Sequence, residues 1–407
     1  MSVHAADTPA AQTAPETAHW GGVYAMTLCV FTLIASEFMP MSILTPIATD
    51  LGVTEGQAGQ AIAISGLFAV ITSLTIARLA GGMDRKRLLL GLTVIMALSG
   101  VLVAFAPSYP LFMLGRALIG VVIGGFWSMS VAVAIRLVPA DQVTKALAIF
   151  NAGNALATVI AAPLGSFLGA VIGWRGAFFT VVPVALIVLV WQWFSLPALK
   201  PDTAPNADTG AAAGGAPSSL SGLLRQPLVA LGMASVGLFF MGQFALFTYV
   251  RPFLENVTRV DIGTLSLILL AIGIAGFIGT SLIGTVLKSG LYRVLILIPL
   301  LMAAVAMALI GFGGVVWIAA GLLTLWGFVA TAAPVGWWSW LAHSLPRDAE
   351  DGGGLMVAVI QLAITLGATA GGLLFDAGGH SSAFAASAVI LVAAAAGAAL
   401  TARIARG

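Results

Sequence analysis

The sequence is dominated by long apolar stretches, each close to the ~20 residues that an α-helix needs to cross the ~30 Å hydrocarbon core of a bilayer. Of its 407 residues, 60% are apolar and 8% are Asp, Glu, Lys or Arg, whereas a soluble domain carries about 25% charged residues. Backbone groups in lipid must be hydrogen-bonded within the chain, so these stretches are predicted to be helices. We predict an all-α membrane protein with twelve spans, at about 21–46, 57–80, 88–106, 111–136, 144–170, 176–195, 227–250, 262–287, 291–311, 315–341, 353–375 and 382–402.

The composition argues against several other classes of protein. The single cysteine, Cys29, cannot build a disulfide framework or a thiolate metal site. Four histidines are scattered along the chain, and none has a partner at metal-ligand spacing. A formal net charge of +2 is too small to indicate a nucleic-acid partner. We therefore expect no metal, no cofactor and no nucleic acid, and the lipid bilayer as the surrounding medium.

The loop charges predict an orientation and a division of the chain. With the N-terminus in the cytoplasm, thirteen Lys and Arg residues fall on the inner side and three on the outer side, as the positive-inside rule requires. Both termini are thus predicted to be cytoplasmic. Residues rich in Pro, Gly, Ala and Ser form a flexible linker between two groups of six spans. The predicted regions are a disordered tail at 1–19, a bundle at 20–196, the linker at 197–226, a second bundle at 227–402 and a tail at 403–407.

The two groups of six spans are predicted to be repeats of one another. A shift of 207 residues places Gly66 on Gly273, and a shift of 206 in the first span of each half places Glu37 on Gln243. Further matches at the shift of 207 are Gly120 with Gly327, Pro139 with Pro346, Asp141 with Asp348, Asn154 with Gln361 and Gly165 with Gly372. Parallel six-helix repeats are typical of transporters whose site lies between the repeats near the midplane.

Two opposite charges lie inside the predicted spans. Glu37 is the only charged residue between Trp20 and Asp50, and Arg116 lies early in the fourth span. At ~1.5 Å per residue, Glu37 lies roughly 8 Å and Arg116 roughly 9 Å below the same outer surface. Opposite charges at one depth in lipid are expected to be partners.

This charge pair has two interpretations. An apolar site favours the neutral form of a carboxyl group and a nearby guanidinium favours the ionised form, so helix motion can change the proton affinity of Glu37. The pair would then couple proton movement to conformational change. The alternative is a static ion pair that fixes the first span against the fourth. The repeat counterparts, Gln243 and Leu323, cannot ionise.

Amides and aromatic rings on the central spans form a candidate substrate site. An amide that faces lipid is costly, whereas one that faces a wet cavity is not. Rings can stack on a flat heterocycle while amides bond its edges, which fits a purine nucleoside and also many drugs. For each ring, helix packing or an interfacial position is the alternative. The candidate residues are Trp127, Asn151, Asn154, Phe240, Gln243, Phe247, Trp338 and Gln361.

Three charged residues follow the second span at the inner surface. Arg85 and Arg87 are explained by positive-inside anchoring alone. Asp84 is not, and an acid at that position can cap or pair with a neighbouring helix end. We predict a conformational latch formed by Asp84, Arg85 and Arg87.

Several segments resemble a known family. The loop "GGMDRKR" at 81–87, Arg116 with Gly120, and "AAPLGSFLG" at 161–169 resemble the signatures of the major facilitator superfamily, in its drug/proton antiporter branch. The sequence departs from those signatures at Ala80 and Ala162, where glycine is usual. Longer segments, among them "EFMPMSILTPIATDLGVTEGQAGQ" and "VAVIQLA", are similar to the purine ribonucleoside efflux pumps of bacterial inner membranes.

The resemblance implies a function as well as a fold. It implies two pseudo-symmetric six-helix bundles, with Pro163 and Gly165 in the helix-five antiporter motif. It also implies proton antiport with a nucleoside-like substrate such as inosine or guanosine, in the inner membrane, by a monomer. Alternatives are an exporter of sugars or drugs, a proton-coupled importer and a non-transporting receptor. An enzyme is not expected, because Glu37 with Arg116 provides no nucleophile and no metal site.

Overall fold

The computed structural model describes residues 18–130, 133, 136–199, 222, 225–288, 290–345 and 349–405. The side chains of residues 77, 78, 140, 144, 151 and 349–351 are outside this description. Over the described residues the chain is almost entirely helical and contains no strand. The α-helices are α1 Trp20–Ser42, α2 Leu44–Leu51, α3 Glu55–Ala80, α4 Arg85–Ala104, α5 Tyr109–Trp127, α6 Val143–Phe179, α7 Val181–Ser195, α8 Pro227–Phe247, α9 Val250–Phe253, α10 Ile262–Leu287, α11 Leu291–Phe312, α12 Val316–Ser344 and α13 Ala349–Ile404.

Two of these helices are each too long for one span and are broken by glycine. Helix α6 changes direction at Gly173, whose φ of 74° and ψ of 164° are not helical. Helix α13 does so at Gly378 and Gly379, the latter with a φ of 68°. Glycine allows these breaks because it has no Cβ to clash at positive φ. The short arm of α6 after Gly173 continues into α7 as one span, and α13 is divided into two spans, so the described residues contain twelve spans near the predicted places.

The two repeats begin matching helices with matching caps. The hydroxyl of Thr54 accepts a hydrogen bond from Gln57 N at 3.0 Å, which caps α3. At the shift of 207 residues, Asp261 caps α10 by accepting from Thr264 N at 3.1 Å. The Thr264 side-chain hydroxyl also donates to this carboxylate and lowers the pKa of Asp261. Each half therefore begins its second span with a side-chain cap at the same repeat position.

The buried apolar side chains form one core in each half. The first consists mainly of residues from α1–α7, and the second mainly of residues from α8–α13. Large apolar side chains also cover the outside, where Leu79, Phe194 and Trp317 are 77%, 81% and 85% exposed. A soluble protein rarely exposes such large apolar patches, and lipid is the medium that accepts them.

Glycines allow the closest helix contacts inside each half. A Cβ on Gly120 of α5 would meet the backbone carbonyl of Ser65 in α3, and one on Gly327 of α12 would meet that of Ile272 in α10. Gly120 and Gly327 are repeat counterparts, so both halves use the same small-residue contact. Small residues commonly allow close helix packing of this kind in membrane proteins.

The halves meet at the helix ends on the side opposite to both termini, which the loop charges predict to be the outer side. Ser266 of α10 donates to the Ser166 hydroxyl of α6 at 2.9 Å, and Thr369 of α13 donates to Gln60 of α3 at 3.0 Å. The two hydrogen bonds join symmetry-related helix pairs, α6 with α10 and α3 with α13. The structure is therefore closed at its outer side.

We expect Gly120→Ala to destabilise the fold. The added methyl group has no space against the Ser65 carbonyl, and overpacking of this kind costs about 1–3 kcal/mol. Thermal unfolding of the purified protein should show a melting temperature lowered by several degrees. Gly91→Ala in α4 is the matched control, since nothing lies within 4 Å of its Cβ position. Equal melting temperatures for the two variants would contradict this packing.

Candidate functional site

Glu37 lies where the two halves touch. Its side chain is buried in the outer part of α1, with 4% of its surface exposed. Gln361, from the first arm of α13, is also buried, with 8% of its surface exposed. Next to them, Phe38 of α1 stacks on Phe244 of α8 with ring centroids 6.0 Å apart. The predicted proton carrier is thus at the boundary between halves, sealed by aromatic rings.

Arg116 is completely buried, and its guanidinium binds the backbone of two neighbouring helices. It donates to the carbonyls of Ser36 at 2.8 Å, Glu37 at 3.0 Å and Ala61 at 3.2 Å. The two residues are thus in contact through the Glu37 backbone carbonyl, and pairing of their side-chain charges stays a prediction.

Pro40 explains why Arg116 binds carbonyls. A proline inside a helix has no N–H to donate to the carbonyl four residues earlier. Pro40 lies inside α1, and the residue four before it is Ser36. Arg116 Nη1 supplies the missing donor to that carbonyl. Because the guanidinium carries several N–H groups in a fixed fork, it also reaches the carbonyl of Glu37. The proline three residues after Glu37 was the sequence signal for this contact.

Two predicted amides have unused hydrogen-bonding capacity. Among the described buried side chains, Gln243 Oε1 and Gln361 Oε1 have no hydrogen-bond partner. Leaving a buried acceptor unpaired costs about 1–3 kcal/mol, so these atoms are suited to a ligand that donates. Asn154 is half-buried on α6. The side chain of Asn151 lies outside the described residues.

The predicted aromatic residues divide into two groups. Trp127 packs edge-on against Phe126 and Phe150, and Phe240 packs edge-on against Phe239 in the second core. These contacts agree with helix packing, which was the alternative to a substrate-binding role for each ring. Phe247 and Trp338 are less enclosed: Phe247 is half-buried and Trp338 is 42% exposed.

Asp84 is a cap within the first half. Its carboxylate accepts from Lys86 N at 2.7 Å, at the start of α4, and from Leu199 N at 3.2 Å, beyond the end of α7. The carboxylate therefore joins the start of α4 to the first residues of the linker after α7, and the predicted latch stays a prediction. Arg85 is half-buried and Arg87 is exposed at this surface.

The helix-five motif packs against the helix that carries Glu37. Pro163 lies inside α6, and a Cβ on Gly165 would meet the side chains of Ser42 and Met39 in α1. A Cβ on Gly153 would meet the Thr27 backbone of α1 at 2.5 Å. Glycines thus let α6 lie directly on α1.

Sequence analysis missed the polar contacts that close the outer side. The Asp376 carboxylate of α13 accepts from the Thr54 hydroxyl at 2.5 Å and from Gly56 N at 2.9 Å, at the start of α3. Arg251 of α9 donates to the Ser42 carbonyl and pairs with Glu255 at 2.8 Å. Arg251 is one of the three basic residues that the loop charges assign to the outer side, yet it is buried. Its position beside Pro252, between Tyr249 and Phe253, was the available sign of this burial.

Comparison with known proteins agrees with this architecture. The family model described as Major Facilitator Superfamily matches residues 26–353. The chain is 57% identical to a Pseudomonas aeruginosa PAO1 protein named transcription regulatory protein OpdE, over 94% of each chain. It is 41% identical to the purine ribonucleoside efflux pump NepI of Salmonella typhimurium LT2, over 88% of each chain.

Solved structures share the fold at low sequence identity. A bacterial homolog of the human lysosomal transporter Spinster, inward-facing and unoccupied, superposes with a TM-score of 0.76 at 16% identity, over 96% of this chain and 98% of that one. A D-xylose–proton symporter superposes with a TM-score of 0.71 at 17% identity, over 93% and 97% of the two chains.

Twelve spans in two repeated halves, with buried polar groups between them, define a multi-pass membrane transporter. The chain belongs to the Major Facilitator Superfamily. This is a family of transporters and not of enzymes, and both the predicted fold class and the predicted family are confirmed.

We expect Ser166→Cys with Ser266→Cys to form a disulfide. The two hydroxyl oxygens are 2.9 Å apart across the outer closure, and the native Cys29 is buried. A protease site inserted within residues 197–226 gives the readout: after oxidation and cleavage, the halves should migrate together on a non-reducing gel. Ser166→Cys with Ser281→Cys is the control, because residue 281 is about four turns farther along α10. Cross-linking of the control pair alone would contradict the observed closure.

Proposed function

We propose that this protein is a proton-coupled antiporter that exports purine ribonucleosides, such as inosine and guanosine, by alternating access. The observation that carries the proposal is the buried Glu37 carboxylate at the boundary between halves, where the neighbouring Phe38 stacks on Phe244 of the other half. An ionisable group within membrane spans is costly and is by default a functional site. The name of the Salmonella relative, a purine ribonucleoside efflux pump, supports purine ribonucleosides as the substrate class.

The position of Glu37 suits a proton carrier. Glu37 is next to Phe38, which stacks on Phe244 of the opposite half, so movement of the halves changes its surroundings. Arg116 remains bonded to α1 and α3 carbonyls of the same half, and its charge therefore stays near Glu37 through the cycle. The variable factor is then access to water, which shifts the balance between the ionised and neutral carboxyl group.

The transport cycle follows from this arrangement. In the inward-facing state, substrate enters from the cytoplasm and binds between the halves. The halves rock, the outer closure opens and substrate leaves to the outside. A proton from the outside then binds Glu37, and the protonated carrier returns and releases it to the cytoplasm. The proton is the only coupling ion in this scheme.

The substrate site is proposed to use the amides and the less enclosed rings. Gln243, Gln361 and Asn154 bond the edges of the base, and Phe247 and Trp338 stack on its faces. Trp127 and Phe240 shape the walls from within the two cores. Gln243 and Gln361 are suited to this role because their side-chain oxygens are buried without a partner among the described residues.

The orientation and the domains belong to the same proposal. We propose an inner-membrane monomer with both termini cytoplasmic, since the loop Lys and Arg residues lie mainly on that side. The bundles extend over 20–196 and 227–402, joined by a linker at 197–226 that lies largely outside the described residues. A nucleoside that enters from the cytoplasm would therefore meet the open side of the structure.

One alternative is import by a transporter of the same fold. The other is a regulatory role, in which the protein is a receptor and not a transporter. The name of the Pseudomonas relative favours the second. A receptor that regulates transcription does not need uphill transport. Labelled inosine accumulating in inverted vesicles, but not in right-side-out vesicles, would separate export from import, and no proton-dependent movement in either would favour regulation.

We expect Glu37→Gln to abolish accumulation against a gradient. The amide cannot carry a proton through the cycle, so inverted vesicles energised by a proton gradient should only equilibrate labelled inosine. Asp141→Asn is the control, since it removes an exposed carboxylate outside the spans, and it should pump as the unaltered protein does. Uphill accumulation by Glu37→Gln would refute the assignment of Glu37.

A further inference from the structure

We propose that Arg251 is the gating residue of the outer side, where it holds the two halves together by binding the Ser42 carbonyl of the first half. This inference rests on the alternating access of the proposed function, but not on its substrate or its coupling ion. It gives the transport cycle a defined contact that must break before the outer side opens.

The Ser42 carbonyl is left without a helical donor by the local sequence. Ser42 is the last residue of α1, and the last carbonyls of a helix have no partner within that helix. The residue four positions later is Pro46, which has no N–H to donate. Because Ser42 is buried, its carbonyl needs a donor from another part of the chain.

Arg251 supplies this donor from the opposite half. Its Nη1 donates to the Ser42 carbonyl. On the other side of the guanidinium, Nε donates to Glu255 Oε1 at 2.8 Å, and Nη2 lies 2.8 Å from the same oxygen. Arg251 and Glu255 both belong to the second half, so their ion pair moves with that half. The pair therefore holds Nη1 in the direction of α1, and the bond to Ser42 is the part that separation of the halves breaks.

The repeat gives this donor to one half only. The chain leaves the helical path at Ile43, between α1 and α2, with φ −131° and ψ 26°. It does so again at Tyr249, between α8 and α9, with φ −108° and ψ 15°. At the shift of 206 residues these two positions are counterparts, and Arg251 corresponds to Thr45. The second half thus carries a cationic donor where the first half carries a neutral hydroxyl.

Tyr249 adds a second contact across the same boundary. It is completely buried, and its hydroxyl donates to the Ala368 carbonyl of α13 at 2.8 Å. A Cβ on Gly59 of α3 would meet this hydroxyl, so the first half makes space for the ring by having no side chain there. Residues 249–251 therefore contact the first half at two places, on α1 and on α3.

The Arg251 contact lies on the helix that carries the proposed proton carrier. Ser42 follows Glu37 by five residues on α1, which is roughly 7.5 Å along the helix axis. When Arg251 withdraws with the second half, water replaces it at the Ser42 carbonyl. The outer end of α1 is then open to the outside, which is the condition for a proton to reach Glu37 from that side.

The test measures the distance across the outer side in lipid nanodiscs. Spin labels are placed on cysteines at positions 108 and 314, which are exposed in the α4–α5 and α11–α12 loops of the two halves. Arg251→Met should increase the ratio of long to short distances roughly 10- to 100-fold, as expected for loss of a hydrogen bond from a charged donor. Arg251→Lys keeps the charge and should shift the ratio less. The native Cys29 is buried and does not compete for the labels.

Arg175→Met is the matched control. Arg175 is another outer arginine, but it donates to Asp50 and to the Ala106 carbonyl, both in its own half, so its loss should leave the distances unchanged. Glu255→Gln tests the aim of the guanidinium. It should increase the long distances in the unaltered protein and have no further effect in Arg251→Met, because it acts through Arg251.

Unchanged distances in Arg251→Met would overturn the proposal. Equal shifts in Arg251→Met and Arg175→Met would also overturn it, since they would reflect a general loss of stability. If Arg251→Met does not fold, Arg251→Lys and Gly59→Ala decide, because the added methyl group of the second displaces Tyr249; short distances in both would refute the gate. The labels need no substrate, so a normal response without inosine transport would refute only the nucleoside function.

Discussion

The hydrogen bond from Arg116 to the Ser36 carbonyl organises the centre of the first half. Pro40 leaves that carbonyl without its helical donor, and an unpaired carbonyl in a membrane interior is costly. Arg116 supplies the donor and at the same time binds α1 to α3. Its charge is thereby fixed close to Glu37, although its hydrogen bonds are used elsewhere. A carboxyl group beside a fixed, already bonded cation can gain or lose a proton without breaking the packing.

Small residues hold the rest of the frame around this centre. Gly165 lets α6 lie against α1, and the counterparts Gly120 and Gly327 let α5 and α12 lie against α3 and α10. These contacts are between rigid helices inside each half. The contacts between halves include hydrogen bonds, such as Ser166–Ser266, and the stack of Phe38 on Phe244. Movement of whole halves would break these contacts and leave the close glycine contacts within each half intact.

The sequence was sufficient to predict the spans, the repeat and the family, because span length, loop charge and periodic glycines are local signals. It also predicted one depth for Glu37 and Arg116, because depth can be counted along the chain. The direction in which a side chain points cannot be derived from the neighbouring sequence alone. Arg116 and Glu37 share a depth, yet which acceptors the guanidinium reaches depends on the bend at Pro40. Asp376 was missed for the same reason, since its partners Thr54 and Gly56 are more than 300 residues away in the chain.

The outer closure differs between its two symmetry-related sides. At α3, the first turn is held by Asp376 from the opposite half, whereas at α10 the cap comes from the helix's own Asp261. The hydroxyl pair on the α6–α10 side is neutral, and the carboxylate contact on the α3–α13 side is charge-assisted and stronger. In the proposed cycle we therefore expect separation of the halves to begin along α6 and α10, with α3 and α13 as the side that parts last.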